Sequence, residues 1–143
     1  MDTAIYTPRH FAVSELVPPD TYKALGEAAI ILMDSRILWT IDAIRDMLGC
    51  AIIVNNGTSL TQRGFRNVND IAGEATYSQH KYGRAIDFDC SQFSADEIRT
   101  KIIAEWRTNP AFQFITAIEI GVPWVHIDCR NTQSTALLQF SKK

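Results

Sequence analysis

Three histidines occur in the chain, and two of them stand inside polar clusters. His80 lies in Ser78-Gln79-His80-Lys81-Tyr82-Gly83-Arg84-Ala85-Ile86-Asp87, and His126 in Glu119-Ile120-Gly121-Val122-Pro123-Trp124-Val125-His126-Ile127-Asp128. Side chains alternate along a strand, so a strand carrying Asp87 and Asp89 presents both carboxylates on one face, and the same rule aligns His126 with Asp128. Gly83 lets the chain turn back between His80 and Asp87, which allows an imidazole and a carboxylate to meet at one ion. Two imidazoles and one carboxylate from separate elements, with a position left for water, form the ligand set of a catalytic zinc site; a closed structural zinc wants four ligands, usually with thiolates. Such a metal lowers the pKa of its water toward roughly 7 and polarises a carbonyl, while a nearby carboxylate takes the proton. Glu119 is the candidate for that base.

The elements that must position these residues are α+β in pattern. The turn-rich segment Phe11 to Asp20 wraps the surface, and Pro18-Pro19 block helix until Asp20 can cap one. From there to Cys50 apolar residues recur at three- and four-residue steps, which predicts one scaffold helix, with Gly49 placed as its C-terminal glycine. Ala51 to Asn55 reads as a buried strand ended by an Asn56-Gly57 turn. The polar stretch Thr58 to Gln79, with Arg63, Arg66, Asn67, Asn69 and Asp70, reads as a long loop of the kind that carries function. Arg84 to Asp89 is a strand, and Ser94-Ala95-Asp96-Glu97 is a capping box opening a helix to about Arg107, before Pro110. Phe114 to Ile120 and Trp124 to Cys129 are two strands around Gly121-Val122-Pro123. Helices and antiparallel strands in separate blocks give an α+β fold.

The pattern Ser78-x-His80-x-x-Gly83-x-Ala85-x-Asp87, five matched positions in ten residues, followed by Trp124-x-His126-x-Asp128, resembles the zinc D-alanyl-D-alanine carboxypeptidase and L-alanyl-D-glutamate endopeptidase family. That group contains bacterial cell-wall peptidases and phage endolysins and shares its fold with the hedgehog signalling domain. The resemblance runs from about Val54 to Arg130, and the N-terminal helix is similar only in type. It implies an antiparallel sheet carrying the site and packed against helices, zinc held by His80, Asp87 and His126, Glu119 as general base, and Ser78 as a partner beside the ligands. Many members place an acidic residue three positions before the last histidine, where this chain has Pro123. Relatives nearer the hedgehog side use a glutamate further upstream, and Glu119, seven before His126, suits that version.

Arg63 and Arg66 are the candidate substrate anchors, since a guanidinium fork pairs with a peptide carboxylate or supports an oxyanion. A solvated loop face is the competing reading for both. Trp124 and Tyr82 are candidate cleft walls. Asp128 either orients a ligand, binds substrate, or takes the base role if Glu119 points away. Asp89 reads as a strand-end charge, and His10, beside Arg9, as an ordinary polar residue. Register decides the Glu119 question: paired residues share a face, so Glu119 and His126 do so only if an even number of unpaired residues connects their strands, or a bulge intervenes.

Composition bounds the rest. With 143 residues, 46% hydrophobic, 21% charged and net charge −2, the chain is expected to fold as one domain, 1–143, with a core of its own. A sequence pI of about 5.9 without a basic stripe argues against nucleic acid as partner. The longest apolar run, Ala28 to Met33, is too short to span a bilayer, and the first eight residues carry no basic and apolar export signal. The expected location is therefore the cytoplasm at synthesis, with release to the cell wall as a phage lysin. Cys50, Cys90 and Cys129 are odd in number and lack metal or redox spacing, and Cys90 and Cys129 alternate away from Asp87 and His126, so they read as buried free thiols. The reading is a monomeric zinc peptidase of peptidoglycan stem peptides; its rivals are a non-catalytic zinc-containing binding module and a virion structural protein.

Overall fold

A computed structural model describes residues 5–68, 71 and 74–141; Asn69 and Asp70 of the expected loop and the first four residues lie outside the described residues. Among the described residues it is a mixed α+β architecture of three helices and one small sheet. The helices are α1 (Pro19–Leu25), α2 (Ser35–Leu48) and α3 (Ala95–Glu105). The strands are β1 (Ile52–Ile53), β2 (Ala85–Cys90), β3 (Ala117–Glu119), β4 (Val125–Asp128) and β5 (Leu138–Phe140). No helix among the described residues is long and apolar enough to cross a membrane.

The single scaffold helix expected from Asp20 to Cys50 is broken in two. Pro18, not Asp20, precedes the first helical residue, with Pro19 at its first position, where a missing N–H costs nothing. Gly26 adopts φ +60° and ends α1, and Gly26–Leu32 continues as 3-10 turns. Asp34 then starts α2 by accepting the Arg36 N–H on its side chain at 2.9 Å. Apolar periodicity ran through both stops, because the 3-10 segment still buries Ala29 and, just after it, Met33. The end of α2 is as expected, at Gly49 with φ +66°. The α3 box is also formed: Ser94 Oγ accepts from the Glu97 N–H at 3.1 Å, and Glu97 Oε1 accepts from the Ser94 N–H at 3.0 Å.

The strand order is β1-β2-β4-β3-β5. Three pairings are antiparallel, but β5 lies parallel to β3, so the sheet is not wholly antiparallel as expected. β3 is also shorter than the expected Phe114–Ile120, because Pro110–Phe114 forms a 3-10 turn that the Asn109 side chain caps through the Ala111 N–H. Alternation sorts the strand residues onto two faces. Ile86 and Phe88 of β2, Ile118 of β3, and Val125 and Ile127 of β4 join Ile37, Leu38, Ile41 and Ile44 of α2 and Ile98 and Ile102 of α3 in one core. Asp87, Glu119, His126 and Asp128 take the opposite face.

The N-terminal segment is strapped to α2 by one buried carboxylate. Asp42 accepts from the Tyr6 hydroxyl at 2.6 Å and from the Arg9 and His10 amides at 2.7 and 3.1 Å. The His10 ring pairs with Asp46 at 2.7 Å, remote from the other histidines in role.

Candidate metal centre

The sheet register sets the site. Asp87 of β2 pairs with His126 of β4. On the other side of β4, Ala117 pairs with Asp128 and Ile118 with Ile127, and the next position of that ladder puts Glu119 opposite His126. The connection is thus even, centred on Val122-Pro123, and Asp87, His126 and Glu119 form one row across three strands. Phe140 of β5, paired with Glu119, extends the row.

His80 reaches the row from a 3-10 turn, Gln79–Tyr82, that Gly83 ends with φ +68°. A side chain at Gly83 is excluded twice over: by that φ, and because a Cβ there would lie 1.8 Å from the Leu32 carbonyl oxygen. The Gly83 carbonyl also accepts from the Asp34 N–H at 2.9 Å, so the turn is pinned against the start of α2. Gly64 is similarly close, with a built Cβ 2.1 Å from the Leu16 oxygen, and its carbonyl accepts from His80 Nδ1 at 2.9 Å. That bond leaves His80 Nε2 facing Asp87 Oδ1, at 3.2 Å. His126 Nδ1 lies 2.7 Å from the same oxygen, and its Nε2 lies 2.8 Å from Asp128 Oδ2.

One nitrogen from each imidazole and one Asp87 oxygen all lie within 4.8 Å of one another, and all three residues are buried. Each histidine has its other nitrogen held, His80 by a carbonyl and His126 by a carboxylate, the outer contact that fixes ring orientation in metal sites. This donor set fits a divalent metal with nitrogen and oxygen preferences. Burial alone would raise the Asp87 pKa, but His80 and His126 beside it hold the carboxyl well below the usual range. Burial alone would lower the His126 pKa, yet its contacts with Asp128 and Asp87 raise it to about 9. The two carboxylates thus favour the protonated imidazole when no metal is bound.

The two candidate acids differ in what occupies their oxygens. Asp128 is fully buried, and Arg130 grips it through Nε to Oδ1 at 2.8 Å and Nη2 to Oδ2 at 2.5 Å, beside the His126 contact. Glu119 is 2% exposed, and its Oε1 is buried with no hydrogen-bond partner among the described residues.

Arg66, Tyr77, Ser78, Gln79, His80, Asp87, Glu119, Trp124, His126, Arg130 and Phe140 line one cleft of about 390 Å³, together with Ile71 and Ala75. Arg66 is held by Glu74 Oε1 at 2.9 Å and the Gln62 carbonyl at 3.2 Å, with Ser78 Oγ at 3.5 Å and Asp87 Oδ2 at 3.9 Å. Arg63 lies outside the cleft. Its guanidinium pairs with Asp89 at 2.9 Å, and its carbonyl accepts the Asp87 N–H at 2.7 Å, so it braces β2 instead of facing a ligand. Asp89 is thus an ion-pair partner at the strand end.

Tyr82, expected as a cleft wall, ends the His80 turn facing solvent at 51% exposure with Arg84 stacked on it. Tyr77, on the segment before that turn, stands at the rim of the cleft instead, 76% exposed. Sequence reasoning also passed over Arg130 and Phe140. Arg130 had a signal, since it continues the alternation of His126 and Asp128; Phe140 had none, because its strand is three residues long and mostly exposed. The Phe140 ring meets His126 edge-on at 5.7 Å and carries Arg130 at 4.5 Å on its face.

A buried histidine–carboxylate–histidine cluster opening on a cleft defines a candidate hydrolytic metal centre, and comparison with known families agrees. The family model for peptidase M15 matches residues 9–128. The chain belongs to the peptidase M15 family, a family of metallo-enzymes. No curated protein and no solved structure gives a significant match.

Proposed function

We propose that the chain is a zinc-dependent peptidase acting on peptidoglycan stem peptides, of the D-Ala-D-Ala carboxypeptidase or L-Ala-D-Glu endopeptidase type. Residues 1–143 act as one monomeric domain with a hedgehog-like arrangement of sheet and helices, and lysin-type release to the cell wall belongs to the same proposal. The observation that carries it is Glu119: a buried carboxylate oxygen without a partner, in the row and cleft of the three metal-binding residues. Leaving that oxygen unpaired costs on the order of 1–3 kcal/mol, a cost that a proton-accepting role beside the metal accounts for.

His80 Nε2, His126 Nδ1 and an Asp87 oxygen would hold the metal, which when bound supplies Lewis acidity to an attacking water and a substrate carbonyl. Asp128 keeps His126 aimed, and Arg130 keeps Asp128 aimed. Glu119 takes the proton of the attacking water and passes it to the leaving amine. Arg66 pairs with a substrate carboxylate or the developing oxyanion, while Ser78 and Glu74 fix its fork. Trp124 walls the peptide channel, and Tyr77 stands at its rim.

The test is incubation of zinc-loaded and chelator-treated protein with defined muropeptides, followed by mass spectrometry. The expected result is loss of a terminal D-Ala, or a cut between L-Ala and D-Glu, with zinc only. Intact muropeptides that nonetheless bind the zinc-loaded protein would replace the enzyme reading with a binding module.

A further inference from the structure

Away from the cleft, two cysteines forty residues apart in sequence meet side by side. Cys50 follows the glycine that ends α2, and Cys90 ends β2, with Ile52 of β1 directly opposite it. The Cys50 and Cys90 Sγ atoms lie 2.9 Å apart, in thiol–thiol contact. Cys50 is buried at 6% exposure, whereas Cys90 lines a second, open cleft of about 370 Å³ at the edge of α3. The Cys90 sulfur also accepts the Gln92 N–H at 3.5 Å. Cys129 is different: it is 1% exposed, and its sulfur donates to the Arg84 carbonyl at 3.6 Å.

We propose that Cys50 and Cys90 are a redox-modification site, closed to an intramolecular disulfide by a low-molecular-weight disulfide such as oxidised glutathione. Cys90 loses its proton to solvent, and its thiolate attacks one sulfur of the small disulfide. The small S–S bond breaks, one thiolate leaves, and a mixed disulfide remains on Cys90. Cys50 then gives up its proton and attacks Cys90 Sγ, expelling the second small thiolate. Two electrons pass from the protein dithiol to the small disulfide, which ends as two thiols.

Each cysteine is suited to its step. Cys90 is the accessible one, and although burial raises its pKa, the contacts from Cys50 and the Gln92 amide bring it below the ordinary thiol value. Cys50 is already in place to resolve the mixed disulfide without a rearrangement of the backbone. Burial pushes Cys129 up to about 12, which leaves it an unreactive internal control. The ring closed by the disulfide contains Arg66, His80 and Asp87, so oxidation restrains the segment that delivers these residues, and chiefly through the unfolded chain. This modification does not depend on the peptidase reading.

The full chain is equilibrated with oxidised glutathione, quenched with acid, unfolded, alkylated and mapped by mass spectrometry. The expected product has lost two hydrogens, contains a Cys50–Cys90 linked peptide, and carries one alkyl group, on Cys129. Its Tm should rise by about 5–15 °C and return on adding dithiothreitol. Cys129→Ser should oxidise as the native chain does, whereas Cys90→Ser should neither lose the hydrogens nor shift in Tm. The native chain's thiol count decides the matter even if Cys90→Ser does not fold. Three alkylated cysteines after oxidation, a lasting glutathione adduct on Cys90, or a linkage through Cys129 would overturn the proposal.

Discussion

Two acidic residues on the same sheet face are assigned different work because their oxygens have different company. Both Asp128 oxygens are engaged, by Arg130 and His126, while Glu119 keeps one oxygen buried and unmatched. Glu119→Gln preserves shape and removes the proton acceptor. It should retain the metal by elemental analysis yet lose about a hundredfold or more in kcat, as expected for deleting a general base. Wild-type turnover in that variant would remove Glu119 from the reaction. Asp128→Asn should act on the metal instead, weakening its binding by about 10–100-fold through the loosened His126. The loop arginines separate in the same manner. Arg66→Lys keeps charge but loses the fork and should lower kcat/KM by about tenfold or more, whereas Arg63→Lys, whose partner is Asp89 outside the cleft, should stay within about twofold. Equal losses from both would mean that Arg66 acts through the fold and not on substrate.

At the scale of elements, α3 holds the tip of the β3–β4 hairpin with one residue. Arg99, 5% exposed, donates to the Trp124 carbonyl at 2.8 Å and the Val122 carbonyl at 3.0 Å, and pairs with Asp96. Arg99→Met keeps an apolar stem but strands those carbonyls, so it should lower stability by about 1–3 kcal/mol in a denaturant titration. It should also raise KM more than it lowers kcat, because Trp124 on that tip walls the cleft and takes no part in proton transfer. A purely structural Arg99 would leave KM unmoved. No sequence signal joined Arg99 to residues 122–124, and the reason is general to this fold. What was legible is what chain-local physics dictates: the Ser94–Glu97 box, the Gly49 stop, and the alternation that put Asp87 and Glu119 on determinable faces once register was known. The break at Gly26 and Asp34 was hidden because the apolar rhythm persists through it. β5 was hidden because a short, mostly exposed strand has no hydrophobic pattern, and its pairing with β3 is a long-range event. The cleft contacts of Phe140, and the division of labour between Arg63 and Arg66, depend on such pairings too.

For the molecule as a whole, His80, Asp87 and His126 bring together the Gln79–Tyr82 turn, β2 and β4 at one point. In the metal-free protein a proton does part of this work. The folded pKa of His126, about 9, stands above its ordinary value of 6.5, so protonation is favoured in the folded state. The stability it contributes is fully present below about pH 6.5 and is lost as pH rises through about 9. Asp87 and Asp128 are shifted the opposite way, and their contributions are present throughout that window, being lost only under acid conditions. The chelator-treated protein should therefore melt at lower temperature at pH 9.5 than at pH 6.5. Of the nitrogens that would hold a metal, His126 Nδ1 is the one facing Asp87, so metal binding would release a proton there and should strengthen with pH up to about 9. Zinc-loaded protein should accordingly lose the downward slope, since His126 Nδ1 would carry no proton there to lose. Thermal melts at a series of pH values, with and without zinc, read both effects together. A flat profile for the metal-free protein between pH 6.5 and 9.5 would show that His126 is neutral between its two carboxylates, and that the proton does not stand in for the metal.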